Sequence, residues 1–419
     1  MNRNLPNITS GKSKFNVYEL NLLIILAGYP IVSFLPDFYN VDSRIITIPF
    51  RAFALLLSML AIFMGTNNNM SFKKSVLTKF LIVFYILYLL KVFYNLAFGP
   101  DVNYALPKEE YVFWSLGVCF IPMLSATFIR KVDFVSVSQK MIYIFFAVLI
   151  VSIFNNKEAL KSTIDTRLDA NSALNSITYG HLGVTLCLLS VYFLQLNKNR
   201  LFYILSFVLG AYITLISGSR SPVFALVLCL IFVALVKRNK WVIGGLITFG
   251  IVIVSSFTIF ISFIQKINPI IVERLTTLVT DKEQSQRNKI FSDAIDDFMQ
   301  YPVTGKHFLL SHGFGEGFYP HNLIIEAFMA LGLIGGCFFL YLVFVALKFC
   351  IKFLKKNYSF SWVSLLFVQS LILGMASGSL WGSQVFWILM MLLFSIYDRQ
   401  TILQRKIGLN NKILQTTDI

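Results

Sequence analysis

Apolar positions in this chain come in long runs, separated mostly by short polar connections of which alternate ones are basic. A helix needs about 20 apolar residues to cross the hydrocarbon of a bilayer. On that measure the pattern predicts twelve spans, over 17–36, 44–64, 78–98, 110–129, 139–154, 174–196, 201–217, 220–236, 241–264, 321–347, 360–378 and 381–397. The runs do not alternate polar with apolar, so they favour a helix bundle over a closed barrel, the two folds that satisfy the backbone in lipid. The expected class is all-α: a polytopic membrane bundle of about twelve helices. Three regions follow: spans one to nine over 1–264, a large loop over 265–320, and spans ten to twelve with a tail over 321–419.

Composition agrees with that pattern. Hydrophobic residues make up 57% of the chain, charged residues 13%, and the mean hydropathy is +0.72. Soluble domains carry about a quarter charged residues. The first 16 residues are polar and basic, and the apolar run after them is long enough to span. It therefore reads as a retained helix, not a cleaved leader. Cys119, Cys187, Cys229, Cys337 and Cys350 fall in or beside apolar runs without a Cys-x-x-Cys pair. They read as small apolar fillers, and neither a disulfide framework nor a zinc site is expected.

The net charge of +16 is a topology signal. With the N-terminus in the cytoplasm, the inner segments collect 22 of the 36 Lys and Arg residues. Only Glu19, Asp133, Asp398 and Asp418 of the 20 acids join them. That is the asymmetry of the positive-inside rule, and it places both termini inside. The bases are spread over seven segments, so nucleic-acid binding is not expected.

The loop over 265–320 is then outside, and it has structure written into it. Ile290, Phe291, Ala294, Ile295, Phe298 and Met299 recur at helical spacing, which predicts an amphipathic helix over 288–299 lying on the membrane or on the bundle. Tyr301-Pro302 and Gly305 end it. Phe308, Phe314, Phe318 and Tyr319 are placed either to stack on sugar rings or to anchor the loop at the interface. Three polar features share this side. Arg220 stands in the turn Ser217-Gly-Ser-Arg-Ser-Pro222, Arg287 opens the amphipathic helix, and Pro320-His321-Asn322 opens the tenth span. A His at a helix N-terminus meets the positive end of the dipole, which disfavours its protonation and suits a general base. Guanidinium groups suit a diphosphate, which they grip bidentately. Taken singly, each has a plainer reading: a snorkelling Arg or a helix cap.

The segment Pro320-His321-Asn322-Leu-Ile-Ile-Glu326-Ala-Phe-Met-Ala-Leu-Gly332-Leu-Ile-Gly335 resembles the signature of the O-antigen polymerase and ligase superfamily, a His, then Asn, Ser or Gln, nine residues, and Gly-x-x-Gly. Arg287-Asn-Lys-Ile-Phe followed by Tyr301-Pro302-Val-Thr-Gly305 is similar to that family's Arg-led helix ending in Pro-x-x-Gly. Ser217-Gly-Ser-Arg220 is similar to its Ser-Arg turn before a span. The resemblance implies an enzyme of the bacterial cytoplasmic membrane with an active site facing the periplasm. It implies transfer of a glycan from undecaprenyl diphosphate to a sugar hydroxyl, without cofactor or metal. His321 would then be the base, with Arg220 and Arg287 on the diphosphate. Asn322, Glu326, Tyr179, His181 and Lys91 are the candidates for substrate binding. Glu326 is expected to orient a sugar or pair with Arg220, and Lys91 to snorkel or meet a lipid phosphate.

A polymerase of lipid-linked repeats is the expected function, with a polysaccharide chain-length regulator as a possible partner. The alternatives are an O-antigen ligase, which shares these motifs, and a transporter of the same lipid. A transporter would place charges mid-membrane, often in repeated halves.

Overall fold

The computed structural model describes residues 16–67, 76–99, 102–129, 132–155, 171, 174–196, 200–238, 244, 262, 272 and 282–417. Among them the chain is all helical, and the one β feature is an isolated bridge between Asn171 and Leu174. The helices are α1 (Val17–Tyr39), α2 (Ser43–Asn67), α3 (Val76–Phe98), α4 (108–125), α5 (Phe134–Asn155) and α6 (Ser176–Leu194). They continue with α7 (Arg200–Ile216), α8 (Arg220–Lys237), α9 (Lys282–Gln300), α10 (Leu323–Lys356), α11 (Ser361–Ser377) and α12 (Gln384–Thr417).

Eleven of the twelve expected spans fall on helices, and the ninth, 241–264, lies outside the described residues. Seven helices, α1, α2, α3, α5, α6, α8 and α10, are long and apolar enough to cross a membrane. Two shorter apolar helices, α7 and α11, accompany them. The chain is thus a multi-pass membrane protein.

Two segments widen from α to π geometry, Ile24–Gly28 in α1 and Phe113–Phe120 in α4. A proline follows each closely, Pro30 and Pro122. Proline has no amide hydrogen and its ring collides with the carbonyl four residues back, so the helix must loosen just before it. Buried polar side chains tie the same helices together. Asn21 of α1 donates to Ser125 Oγ of α4 at 2.8 Å and accepts from Ser58 Oγ of α2 at 3.0 Å. In an apolar bundle such bonds select one packing arrangement among several of similar apolar fit.

The core between α3, α10 and α12 is aromatic. Phe84 stacks on Phe339 with centroids 5.4 Å apart, and Tyr85 meets the Trp387 ring edge-on at 4.8 Å. This packing fixes α10, and α10 carries the candidate site at its start.

The break in α10 governs that region. Gly332 has φ 66° and ψ −165° in the middle of an otherwise regular helix. Only glycine takes that conformation without strain. The Pro302–Gly305 turn sits against the gap: a Cβ on Gly332 would lie 2.3 Å from the Val303 carbonyl, and one on Gly305 2.5 Å from the backbone of Ala330. Leu333 N donates to Pro302 O at 2.7 Å and Lys306 N to Met329 O at 3.2 Å. The amide and carbonyl exposed by the break are therefore bonded to the loop. The loop's Pro-x-x-Gly and the helix's Gly-x-x-Gly form one joint.

Candidate functional site

His321 stands two residues before α10, between Pro320 and the helix cap. Asn322 is that cap: its Oδ1 accepts from Ile324 N at 3.0 Å and Ile325 N at 3.2 Å. Its Nδ2 donates to Met375 O of α11 at 3.1 Å. All three bonds are spent on holding the backbone, so Asn322 positions His321 and is not directed at a substrate. His321 itself has φ 53°, a left-handed conformation uncommon outside glycine. Strain of this kind persists where the surroundings over-determine it. Here those surroundings are the cap and the Tyr319 ring, whose centroid is 4.3 Å from the imidazole.

Two causes hold the His321 imidazole neutral below the ordinary histidine range. Burial is the larger, and the positive charge of Arg287 is the second. Desolvation and a nearby guanidinium both disfavour the imidazolium. Tyr319 is pushed up to about 12 by burial, then by the charge of Glu326, so it faces His321 as a neutral phenol.

Arg287 acts on His321 electrostatically because α9 lies on the bundle. Ala294 is fully buried beside Leu310 and Met329, and Phe298 meets Phe328 of α10 edge-on at 5.8 Å. Ile295 and Met299 stay exposed. The helix runs over Lys282–Gln300, longer than the expected 288–299. Its far end is tied down by Asp297, fully buried, which accepts from Ser311 N at 2.9 Å and pairs with His312 Nδ1 at 3.1 Å.

Arg220 begins α8, half-buried, and α8 packs against α6, α10 and α11. It is thus brought to the helices that carry and cap the His321 turn. Gly180 of α6 allows the close approach: a Cβ there would lie 2.5 Å from Pro222 and 2.6 Å from Ser217 Oγ.

The other expected residues are placed differently. Glu326 neither pairs with Arg220 nor faces open space. It is fully buried, accepting from the Tyr88 hydroxyl and from Leu380 N at 2.9 Å. Tyr179 is fully buried, with its hydroxyl 2.7 Å from Ser152 Oγ. Lys91 donates to Gly305 O at 3.1 Å, and Asn95, one turn on, donates to Lys306 O at 2.8 Å and accepts from Phe308 N at 3.0 Å. These two residues of α3 clamp the joint, so Lys91 braces the loop. His181 is buried, with Nε2 3.4 Å from Ser221 Oγ, and it lines an interior cavity. Of the loop aromatics, Phe308 is core and Phe314 and Phe318 are exposed.

Tyr88, Trp381 and Arg51 escaped the sequence reading. A lone Tyr or Trp in an apolar run carries no signal of its partner. Arg51, a cation inside an apolar stretch, was the one legible exception. Among the described residues no group of three or more His, Cys, Asp or Glu could hold a metal.

Residues 205–340 match the family model described as O-antigen ligase. About a third of the chain is thus similar to the O-antigen ligase family. The matched stretch contains Arg220, Arg287, the Pro302–Gly305 turn and the His321 signature through Gly335. Members of the O-antigen ligase family are glycosyl-transferring enzymes of the ligase or polymerase type. No curated relative and no solved structure matches the chain.

Proposed function

We propose that this chain is a glycosyltransferase that joins undecaprenyl-diphosphate-linked oligosaccharide repeats into a surface polysaccharide. It works at the outer face of the bacterial cytoplasmic membrane, with both termini inside. The observation that carries this reading is the half-buried His321 imidazole in a left-handed turn just before α10, under the influence of Arg287, with α10 packed against the helix that Arg220 opens.

The acceptor hydroxyl oxygen attacks the anomeric carbon of the donor, and the bond from that carbon to the diphosphate oxygen breaks. The bonding electrons leave with the diphosphate. Arg220 and Arg287 stabilise the charge that grows there, each worth on the order of 3 kcal/mol by analogy with oxyanion donors. His321 takes the hydroxyl proton, a contribution of about 10²–10⁴-fold. A chain-length regulator is a fitting partner for a polymer-forming enzyme.

The test is the purified chain with the lipid-linked repeat as both donor and acceptor. Products longer than one repeat are expected. His321→Ala should reduce them by about 10²–10⁴-fold with the protein still folded. Normal polymer from His321→Ala would falsify the mechanism. The ligase description of the matched family favours a second reading, transfer to lipid A-core. Cells lacking the gene separate the two: single repeats left on the core mean a polymerase, and a bare core means a ligase.

A further inference from the structure

Between the helices lies a partly open cavity of about 230 Å³. Its walls are mainly aliphatic, with Ile25, Leu55, Val118, Leu182 and Leu366 among them. Both π-helical segments contribute to it, through Ile24–Leu26 and Trp114–Val118. Such segments occur often at functional sites. Arg51 also lines it, with its guanidinium 4.3 Å from the Trp114 ring centre and 5.2 Å from that of Tyr29. No carboxylate stands among the lining residues. His181, 4% exposed, lines it as well, and its Nδ1 has no hydrogen-bond partner. A permanent cation and an orphaned imidazole nitrogen in an apolar chamber call for an anionic ligand with an apolar body.

We propose that this cavity is a second carrier-lipid site, which takes the head-proximal isoprenoid chain of a polyprenyl phosphate and sets the phosphate on Arg51. Thr178, Thr185, Gln369, Ser370 and Gln384 interrupt the apolar lining, but most of the wall would leave a sugar's hydroxyls unmatched. A chamber smaller than the 300–1,000 Å³ of ordinary ligand pockets admits part of one chain, not the paired chains of a glycerophospholipid. The identity of the lipid rests on the polymer-forming reading above. Joining two carrier-linked glycans requires two carriers held at once, and Arg220 and Arg287 hold only the donor's. Successive ring contacts through Tyr319, Trp381 and Trp114 link His321 to Arg51, so the cavity is connected to the turn without sharing its residues.

The test is binding of undecaprenyl phosphate, a probe with no sugar to transfer, to the full chain in nanodiscs, followed by native mass spectrometry. Arg51→Gln should weaken one binding event about tenfold or more, as expected for a lost charge-assisted contact. Leu55→Trp, which fills the chamber and keeps the charge, should abolish the same event, and Arg287→Ala should leave it intact. Should Arg51→Gln not fold, Leu55→Trp carries the test alone. Wild-type binding by both variants overturns the proposal. So does equal displacement by phosphatidylglycerol, which means a general lipid site, or by inorganic phosphate, which means a site without a chain. No turnover is measured, so a chain that binds in this way yet makes no polymer overturns the function and leaves this site standing.

Discussion

Glu326 and Arg51 are both ionisable side chains set among apolar helices, and the protein treats them in opposite ways. Around Glu326 every polar atom is answered: one carboxyl oxygen takes the Tyr88 hydroxyl and the other takes Leu380 N. Nearby, Lys91 and Asn95 bond the carbonyls of the joint, and Asn322 caps the helix. Around Arg51 the answer is partial: a 3.3 Å bond to the Tyr29 hydroxyl and two aromatic faces, with no ion pair among the described residues. Buried polar networks that are fully satisfied rigidify a structure, whereas incomplete ones mark places kept for something else. The first region is built to hold shape and the second to receive a ligand.

That contrast breaks most visibly at the joint. Gly332→Val should cost about 4 kcal/mol or be lost in expression, since it forces a β-branched residue to φ 66° against the Val303 carbonyl. Thermal unfolding in detergent measures it, and a wild-type Tm would mean that the break is not required. Glu326→Ala comes next, at about 3 kcal/mol, because it strands a buried hydroxyl and a buried amide. Glu326→Gln keeps an acceptor for one of them and should cost distinctly less. Equal losses in the two variants would show that packing, not bonding, explains this residue. Arg51→Gln should change stability by less than about 1 kcal/mol, since no charged partner is left behind. A larger loss would place Arg51 with the structural group.

The smallest effect is a direction in pH. Burial and Arg287 lower the His321 pKa, so the base stays neutral below the ordinary histidine value of about 6.5, and the acid limb of activity lies below it. The unfolded chain binds this proton more readily. His321's contribution to stability is therefore full above the unfolded value and is lost as pH falls through it toward the folded one. Arg287→Gln removes the smaller of the two causes, so the acid limb of its residual activity should move upward. A limb that stays in place would show that Arg287 does not act on His321.

The helices were legible because apolar length is a local property. Each of the eleven described spans lies within a few residues of its helix, apart from the continuation of α10 to Lys356 and of α12 to Thr417. The motif residues Arg220, Arg287 and His321 were legible as candidate chemistry. The roles of Glu326 and Lys91 were not, because each depends on a partner far away in sequence: Tyr88 lies 238 residues from Glu326, and Gly305 lies 214 from Lys91. The spacing of Glu326 from His321 left it a role toward a sugar or Arg220, and only the tertiary fold shows that its partners are Tyr88 and Leu380.

The union of the Pro302–Gly305 turn with the break at Gly332 bears on how such proteins can be recombined. Swapping the 282–320 segment alone from a relative would install half of a mated pair and leave the other half with bare amides. Chimeras intended to exchange specificity should therefore move 282–335 as a block, with the α3 residues Lys91 and Asn95 matched to the incoming turn.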